Sequence, residues 1–439
     1  TLTRAGANEN AAVTGDLDLS GALIITGTGL SFTVIDANWL DRVVEVLPEA
    51  VVQITNLTLV NGRAPATTGT VRGRDGGGIL NHASLSMENV RVAGNQAGAA
   101  STSADYSGDG GGIFNYTSSP NLLRVSISGN SAPNGSGGGI YNYNSNPTLT
   151  DVTIHGNSAE KYGGGIYNGK TFSAPSSPVL NRVTISNNQT TGQGTYPLPE
   201  PDGDGAGMYN HEACSPSLTN VTFSGNRSIR NGGGMYNNQS SEPVLLNVLF
   251  SENYADSDGG GIYSISAMPV LTNVTFSSNW VDSGRSGGMY TYNGSVTITN
   301  ATFVGNDASP YNASNGGGLY NGGNFTVTVK NSVFWNNSPN QVTASAPVNV
   351  TYSTVQGGYT GEGNIATDPL LGSLADNGGY TLTRSLETGS PAIDSANPEA
   401  ANCPATDQRG VTRPRDGDGD GMAVCDMGAF EAPGAPVII

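Results

Sequence analysis

Charge is what this chain has least of. Asp, Glu, Lys and Arg supply 12% of its 439 residues, about half the share of an ordinary globular protein. Only three lysines occur, at Lys161, Lys170 and Lys330. Acidic groups outnumber basic ones by 35 to 18, for a net charge of −17. That balance argues against nucleic acid or an anionic membrane as a partner. No apolar run approaches the length needed to cross a bilayer, so membrane insertion by this segment is not expected. No signal peptide is evident, and the chain is read as a processed or trimmed form whose signal and any anchor are absent from it. The sequence has no HExxH or CxxC motif. Its three histidines are His82, His155 and His211. His82 and His211 hold the same repeat position four coils apart, roughly 19 Å, and cannot share a metal or a proton.

Glycine is abundant, at 63 residues, and it is periodic. A Gly-Gly-Gly-Ile-Tyr-Asn signature, as at Gly163 to Asn168, alternates with an Asn-Val-Thr-Phe-Ser-Gly-Asn signature, as at Asn220 to Asn226. The third glycine of the first signature falls at 78, 112, 139, 165, 207, 234, 261, 288 and 318. A base period of 26 or 27, lengthened in places, marks a solenoid whose units bury their apolar faces by stacking. One unit, 137–157, reads as three short strands around Ile140-Tyr141-Asn142, Thr148-Leu149-Thr150 and Val152-Thr153-Ile154. Three strands in so few residues leave no room for a helix. The expected fold is all-β, a right-handed parallel β-helix of about twelve rungs, roughly 55 to 60 Å long, with a less regular C-terminal cap. The helix is placed at 1–356, with N-terminal rungs at 1–75 and regular repeats at 76–356. The cap and a short apolar tail are placed at 357–439.

Register sorts the side chains. The aliphatic of the first strand (Ile79, Ile113, Ile140, Ile166, Met208, Met235, Ile262, Met289, Leu319) points inward, as does the third-strand column that changes from Ile154 and Ile185 to Phe223, Phe250, Phe276 and Phe303. The Asn two places after the aliphatic is read as a ladder that bonds to its own copies. The glycine triplets let backbone pass through positive φ at a corner. The aromatic between them (Tyr141, Tyr167, Tyr209, Tyr236, Tyr263, Tyr290, Tyr320) alternates outward. It is either a self-stacked ladder partly covered by loops, which spacing alone accounts for, or a platform for glycan or lateral contact.

Other candidates are local. Asp416, Asp418 and Asp420 alternate with glycine like the start of an EF-hand loop, but position twelve is Met427 and not Glu. Calcium is the candidate cofactor there, set against a solvated acidic turn, with no cofactor as the default expectation. Cys403 and Cys425 flank a polar loop as a disulfide pair, which would imply an oxidising compartment. Cys214 is left over and reads as a small buried hydrophobe. Fourteen Asn-x-Ser/Thr triplets occur. A repeat rich in Asn and Thr creates them by chance, and Asn134, Asn238, Asn293 and Asn312, in loops, are the better glycosylation candidates.

The pairing of Gly260 to Ile262 with Phe276 to Asn279 resembles polymorphic outer-membrane protein repeats. A second series follows: Asp368-Pro369-Leu370-Leu371, Asp376-Asn377-Gly378-Gly379, Gly389 to Asp394, Thr406 to Gly410 and Cys425 to Glu431. It resembles the C-terminal part of bacterial choice-of-anchor Q surface proteins. The resemblance implies a secreted or surface-anchored β-helix and carries over no catalytic residues. The first functional expectation is therefore an extracellular or cell-surface structural or adhesive rod. Its partner would be itself, through open terminal rungs and the tail residues Val437, Ile438 and Ile439, or surface glycans. The alternative is a polysaccharide-binding or polysaccharide-cleaving β-helix, with Arg124, Asp151 and Arg182 as the best active-site guess. The sparse ionisable groups favour a protein that is not an enzyme.

Overall fold

The computed structural model describes residues 15–65, 73–98, 108–171, 174–192, 202–308 and 315–435. Two compact units divide it: Thr1–Ser217 with Gly225–Tyr236, and Leu218–Ser224 with Asn237–Ile439. Both are right-handed parallel β-helix.

One coil of the first unit shows how the sequence builds it. Its strands are Ile140–Tyr143, Thr148–Thr150, Thr153–His155 and Ser158–Ala159. Each pairs in parallel with its copies in the coils on either side. Ile140 faces Ile113 and Ile166, Leu149 faces Leu122 and Leu180, and Ile154 faces Ile127 and Ile185. These side chains are fully buried. Identical residues in register are the simplest way to fill a cross-section that repeats every coil. The fourth strand, Ser158–Ala159, is absent from the three-strand reading. Two residues are too few to show alternation, and only Ala97, Ala132 and Ala159 packed together betray its inward column.

The second unit keeps the plan and changes the filling. Second and third strands merge in Val244–Ser251 and Val270–Ser277, as they do in Val51–Val60 and Ser84–Ala93 of the first unit. The third-strand column becomes Phe223, Phe250, Phe276, Phe303 and Phe334, fully buried and stacked with centroids 4.4 to 4.9 Å apart.

Corners are set by backbone conformation. The first glycine of the triplet does pass through positive φ, +67° at Gly137. The other two glycines have a different cause. A Cβ on Gly139 would sit 2.6 Å from the carbonyl oxygen of Gly165, and one on Gly138 would collide with the Ser158 carbonyl. They are required by close approach of neighbouring coils. A second corner, between the second and third strands, holds a left-handed residue that is not glycine. In the first unit it is Asn56, Asn89, Arg124, Asp151 and Arg182; in the second it is Asn220, Asn247, Asn273, Asn300 and Asn331. Their φ values run from 51° to 58°. Asn tolerates that region best among residues with a side chain, which explains why so many Asn-x-Thr triplets begin here.

Two asparagine ladders run inside the coils. In the first strand of the first unit, Asn81, Asn115, Asn142 and Asn168 each donate Nδ2 to the next Oδ1, the last on Asn210, at 2.8 to 3.1 Å. The second ladder is the closing Asn of each coil: Asn95, Asn130, Asn157, Asn188 and Asn226 in the first unit, and Asn253, Asn279, Asn306 and Asn337 in the second. Its members bond more fully. Asn130 donates both its backbone N–H and Nδ2 to Asn157 Oδ1 at 2.9 Å, and Nδ2 also reaches the Val92 carbonyl at 3.0 Å.

The segment placed as a terminal cap behaves differently. Only 362–365 complete the last coil, where Tyr352 and Val355 donate to the Glu362 and Ile365 carbonyls. The rest runs back along the flank of the second unit. Gln408 Oε1 accepts from Thr275 Oγ1 at 2.6 Å, Asn300 Nδ2 donates to the Asp426 carbonyl, and Ala429 N–H donates to Thr302 Oγ1. Val333 joins Leu386, Ile393, Met427 and Phe430 in one apolar cluster. The segment is thus a lateral cover, because the outward residues of those coils are small and polar enough to bond with it. Cys403 and Cys425 are joined by a disulfide within it, Cα to Cα 5.9 Å.

Candidate functional site

The tyrosine row is continuous within each unit. Ring centroids lie 4.5 Å apart for Tyr141 and Tyr167, 5.3 Å for Tyr167 and Tyr209, and 4.7 Å for Tyr209 and Tyr236. In the second unit the spacings are 4.9 Å for Tyr263 and Tyr290 and 5.4 Å for Tyr290 and Tyr320. The rings stack face to face along the coil axis, so each π-face is covered by its neighbour. Tyr162 lies against Tyr209 at 4.8 Å as well. Tyr167, Tyr209, Tyr236 and Tyr290 are only 8, 5, 9 and 3% exposed. A sugar-stacking platform needs open faces, and this row offers edges. The geometry is that of a self-stacked ladder.

The pair Arg182 and Asp151 is bidentate, with Nε to Oδ1 at 2.5 Å and Nη2 to Oδ2 at 2.8 Å. Arg124 pairs instead with Glu88, a partner the spacing did not single out. The hydrogen bond from Arg182 holds the Asp151 carboxyl below its ordinary range. Such a group is a weak base and a poor proton donor near neutrality. These residues sit on the left-handed corner, and their arrangement is that of solvent-facing ion pairs and not of an acid–base pair.

The Asp416 loop is rearranged from its sequence reading. Oxygens of Asp394, Asp416 and Asp418 lie within 4.8 Å of one another. Asp394 comes from the Gly389 to Asp394 segment and carried no metal signal. Asp420 is not in that group and accepts the Met422 N–H at 2.7 Å. Backbone donors already serve the acids: Gly417, Asp418 and Val424 on Asp394, and Gly419 and Gly421 on Asp416.

A second acidic group, also unsignalled, lies in the first two coils. Asp16, Asp18 and Glu45 bring their oxygens within 4.8 Å of one another. Arg42 Nη1 bonds Asp16 at 3.3 Å and Glu45 at 2.5 Å, and His82 Nε2 lies 3.6 Å from Glu45. Burial pushes Asp16 up to about 7 and neighbouring Asp41 up to about 6, against the lowering pull of Arg42. Burial likewise raises Asp204 to about 6, Asp426 to about 6 and Glu431 to about 7. The folded chain therefore holds protons that the unfolded chain releases near pH 4. Between about pH 4 and 7 folding takes up protons, so stability falls as pH rises through that window. The expected result is a higher melting midpoint at pH 5.5 than at pH 8, by several degrees, read by calorimetry.

The remaining candidates are quickly placed. Cys214 is buried and free, its thiol pushed up to about 12 by burial, which makes it unreactive. Asn273 and Asn300 are fully buried and closed to glycosylation. Asn134 donates to Glu160 at 3.1 Å; Asn238 and Asn293 are half-buried in turns. Asn312, Val437, Ile438 and Ile439 lie outside the described residues.

Stacked coils, interior ladders and glycine corners define a class, the right-handed parallel β-helix. A family model described as a right-handed β-helix region matches residues 176–334. The repeat of the Chlamydia polymorphic membrane protein matches residues 124–143 and 151–169. This is therefore a β-helix whose coils include repeats of the polymorphic membrane protein type. No curated protein matches the chain.

Proposed function

We propose that this β-helix is displayed outside the cell as a structural or adhesive element, and that copies of it associate end to end. The carrying observation is an exposed apolar strand of the first unit. Ala22–Thr26 pairs with Val51–Thr55 on one edge and, among the described residues, has no partner on the other. Around that edge Ile24 is 75% and Phe32 84% exposed, with Leu23 and Val34 also open. An open strand edge flanked by apolar side chains is a template for another chain. The polymorphic membrane protein repeats support a surface location, as does the disulfide, which persists in oxidising surroundings. The C-terminal series similar to choice-of-anchor Q proteins supports a bacterial surface protein.

Sedimentation velocity and electron microscopy over a concentration series test the association. Wild type is expected to form larger species as concentration rises, and Ile24→Asp with Phe32→Ser to remain monomeric with an unchanged melting point. A wild-type monomer at every concentration would refute end-to-end assembly.

A further inference from the structure

One open cavity of the second unit has the make-up of a sugar subsite, and it is not on the repeat's tyrosine row. Its volume is about 440 Å³, within the range of small-molecule sites. Trp335, Leu370 and Leu371 supply apolar lining, and Asp368, Arg384 and Glu387 the charged groups. Trp335 follows the inward Phe334 on its strand, so its ring turns outward. One side packs on the apolar cluster around Val333 and Met427, and the ring remains half-exposed. Unlike the tyrosines, it stacks on no copy of itself.

The polar groups complement that ring. Asp368 and Glu387 are exposed acceptors. The Arg384 guanidinium is fixed by the Gly372 carbonyl and Ser277 Oγ, each at 3.1 Å. Its Nε is buried and has no acceptor among the described residues. A buried donor left without an acceptor is costly, which marks this wall of the cavity as incompletely satisfied. The wall also holds a backbone outlier. Leu370 has a φ of 47°, unusual for a bulky residue, and is kept there by its N–H to Asp368 Oδ1 and by Glu387 N–H to its carbonyl. Strain of this kind gathers where a ligand is clamped.

The geometry points to this cavity as a binding site for a neutral sugar ring of an oligosaccharide, with Trp335 under the apolar face and Arg384, Asp368 and Glu387 on the hydroxyls. A neutral ligand is favoured because two carboxylates face one guanidinium in a chain of net charge −17. The site does not depend on end-to-end association, and its test is separate.

The experiment titrates the full chain with neutral xylo-, cello- and manno-oligosaccharides, reading tryptophan fluorescence and calorimetric heat. Saturable binding of at least one is expected. Glu387→Gln is expected to weaken it about tenfold or more, the loss of a charged hydrogen bond, with no change in melting point. Trp335→Phe retains an aromatic ring and is expected to weaken binding less and to abolish the fluorescence change. No saturable binding across the panel would overturn the assignment. So would binding that both variants leave unchanged, or binding only of an oligogalacturonate or a proline-rich peptide.

Discussion

Asn157→Ala is expected to lower stability by roughly 3–6 kcal/mol, far more than its polar character suggests. The side chain is fully buried, and its loss strands several groups at once. Asn130 loses the Oδ1 that receives both its backbone N–H and its Nδ2. The Ile127 carbonyl loses its donor at 3.0 Å, and Asn188 Oδ1 loses one of two donors. Each stranded group costs about 1–3 kcal/mol. Denaturant unfolding followed by circular dichroism reads the effect. The control is Asn187→Ala, which precedes the closing Asn188 of the following coil and lies on the outer surface at a left-handed corner. It is expected to cost about 1 kcal/mol, a backbone effect alone.

Phe276→Ala should be comparably severe, at about 3–5 kcal/mol, for a different reason. Phe276 is fully buried between Phe250, 4.9 Å away, and Phe303, 4.4 Å away. Removing the ring leaves a void and unstacks both neighbours. Relaxation is limited because those neighbours are pinned in their own coils by strand pairing. Phe276→Leu retains most of the volume and is expected to cost about half as much. A loss under about 1 kcal/mol for Phe276→Ala would mean the column is not tightly packed.

Much of this architecture was legible in residue order, and the reasons are physical. Ile140, Leu149 and Ile154 repeat at fixed spacing because a coil can be filled only by its own copy above and below. The same regularity hid other things. The two-residue strand at Ser158–Ala159 is too short to carry a period. The Asn at the left-handed corner and the Asn of the interior ladders look alike in sequence, yet Asn220 holds a positive φ and accepts one bond from Asn247, whereas Asn157 is fully buried and bonds to both neighbouring coils. The tyrosine row is outward by alternation, and its fixed spacing already allowed the self-stacked ladder whose rings cover one another's faces. Partners far apart in sequence were least visible. Asp394 joins Asp416 and Asp418 only through the fold of the C-terminal segment, and Trp335 meets Arg384 only because that segment lies along the flank. The Asp407-Gln408-Arg409 and Cys425 to Glu431 motifs, the most specific in the chain, supply contacts that dock it: Gln408 with Thr275, the Asp426 carbonyl with Asn300 and the Ala429 N–H with Thr302.

On this account the repeat's buried polar residues serve stability, and function is proposed for the exposed apolar strand Ala22–Thr26 and a flank cavity. Amide hydrogen exchange at Asn130, Asn157, Asn253 and Asn279 tests that division most directly. Each donates its backbone N–H to the Oδ1 of the closing Asn one coil on. These amides should exchange as slowly as those of the central strands, opening only with whole coils. Exchange as fast as at the exposed turn amide of Gln239 would show that the ladders do not hold the coils together, and would contradict the account.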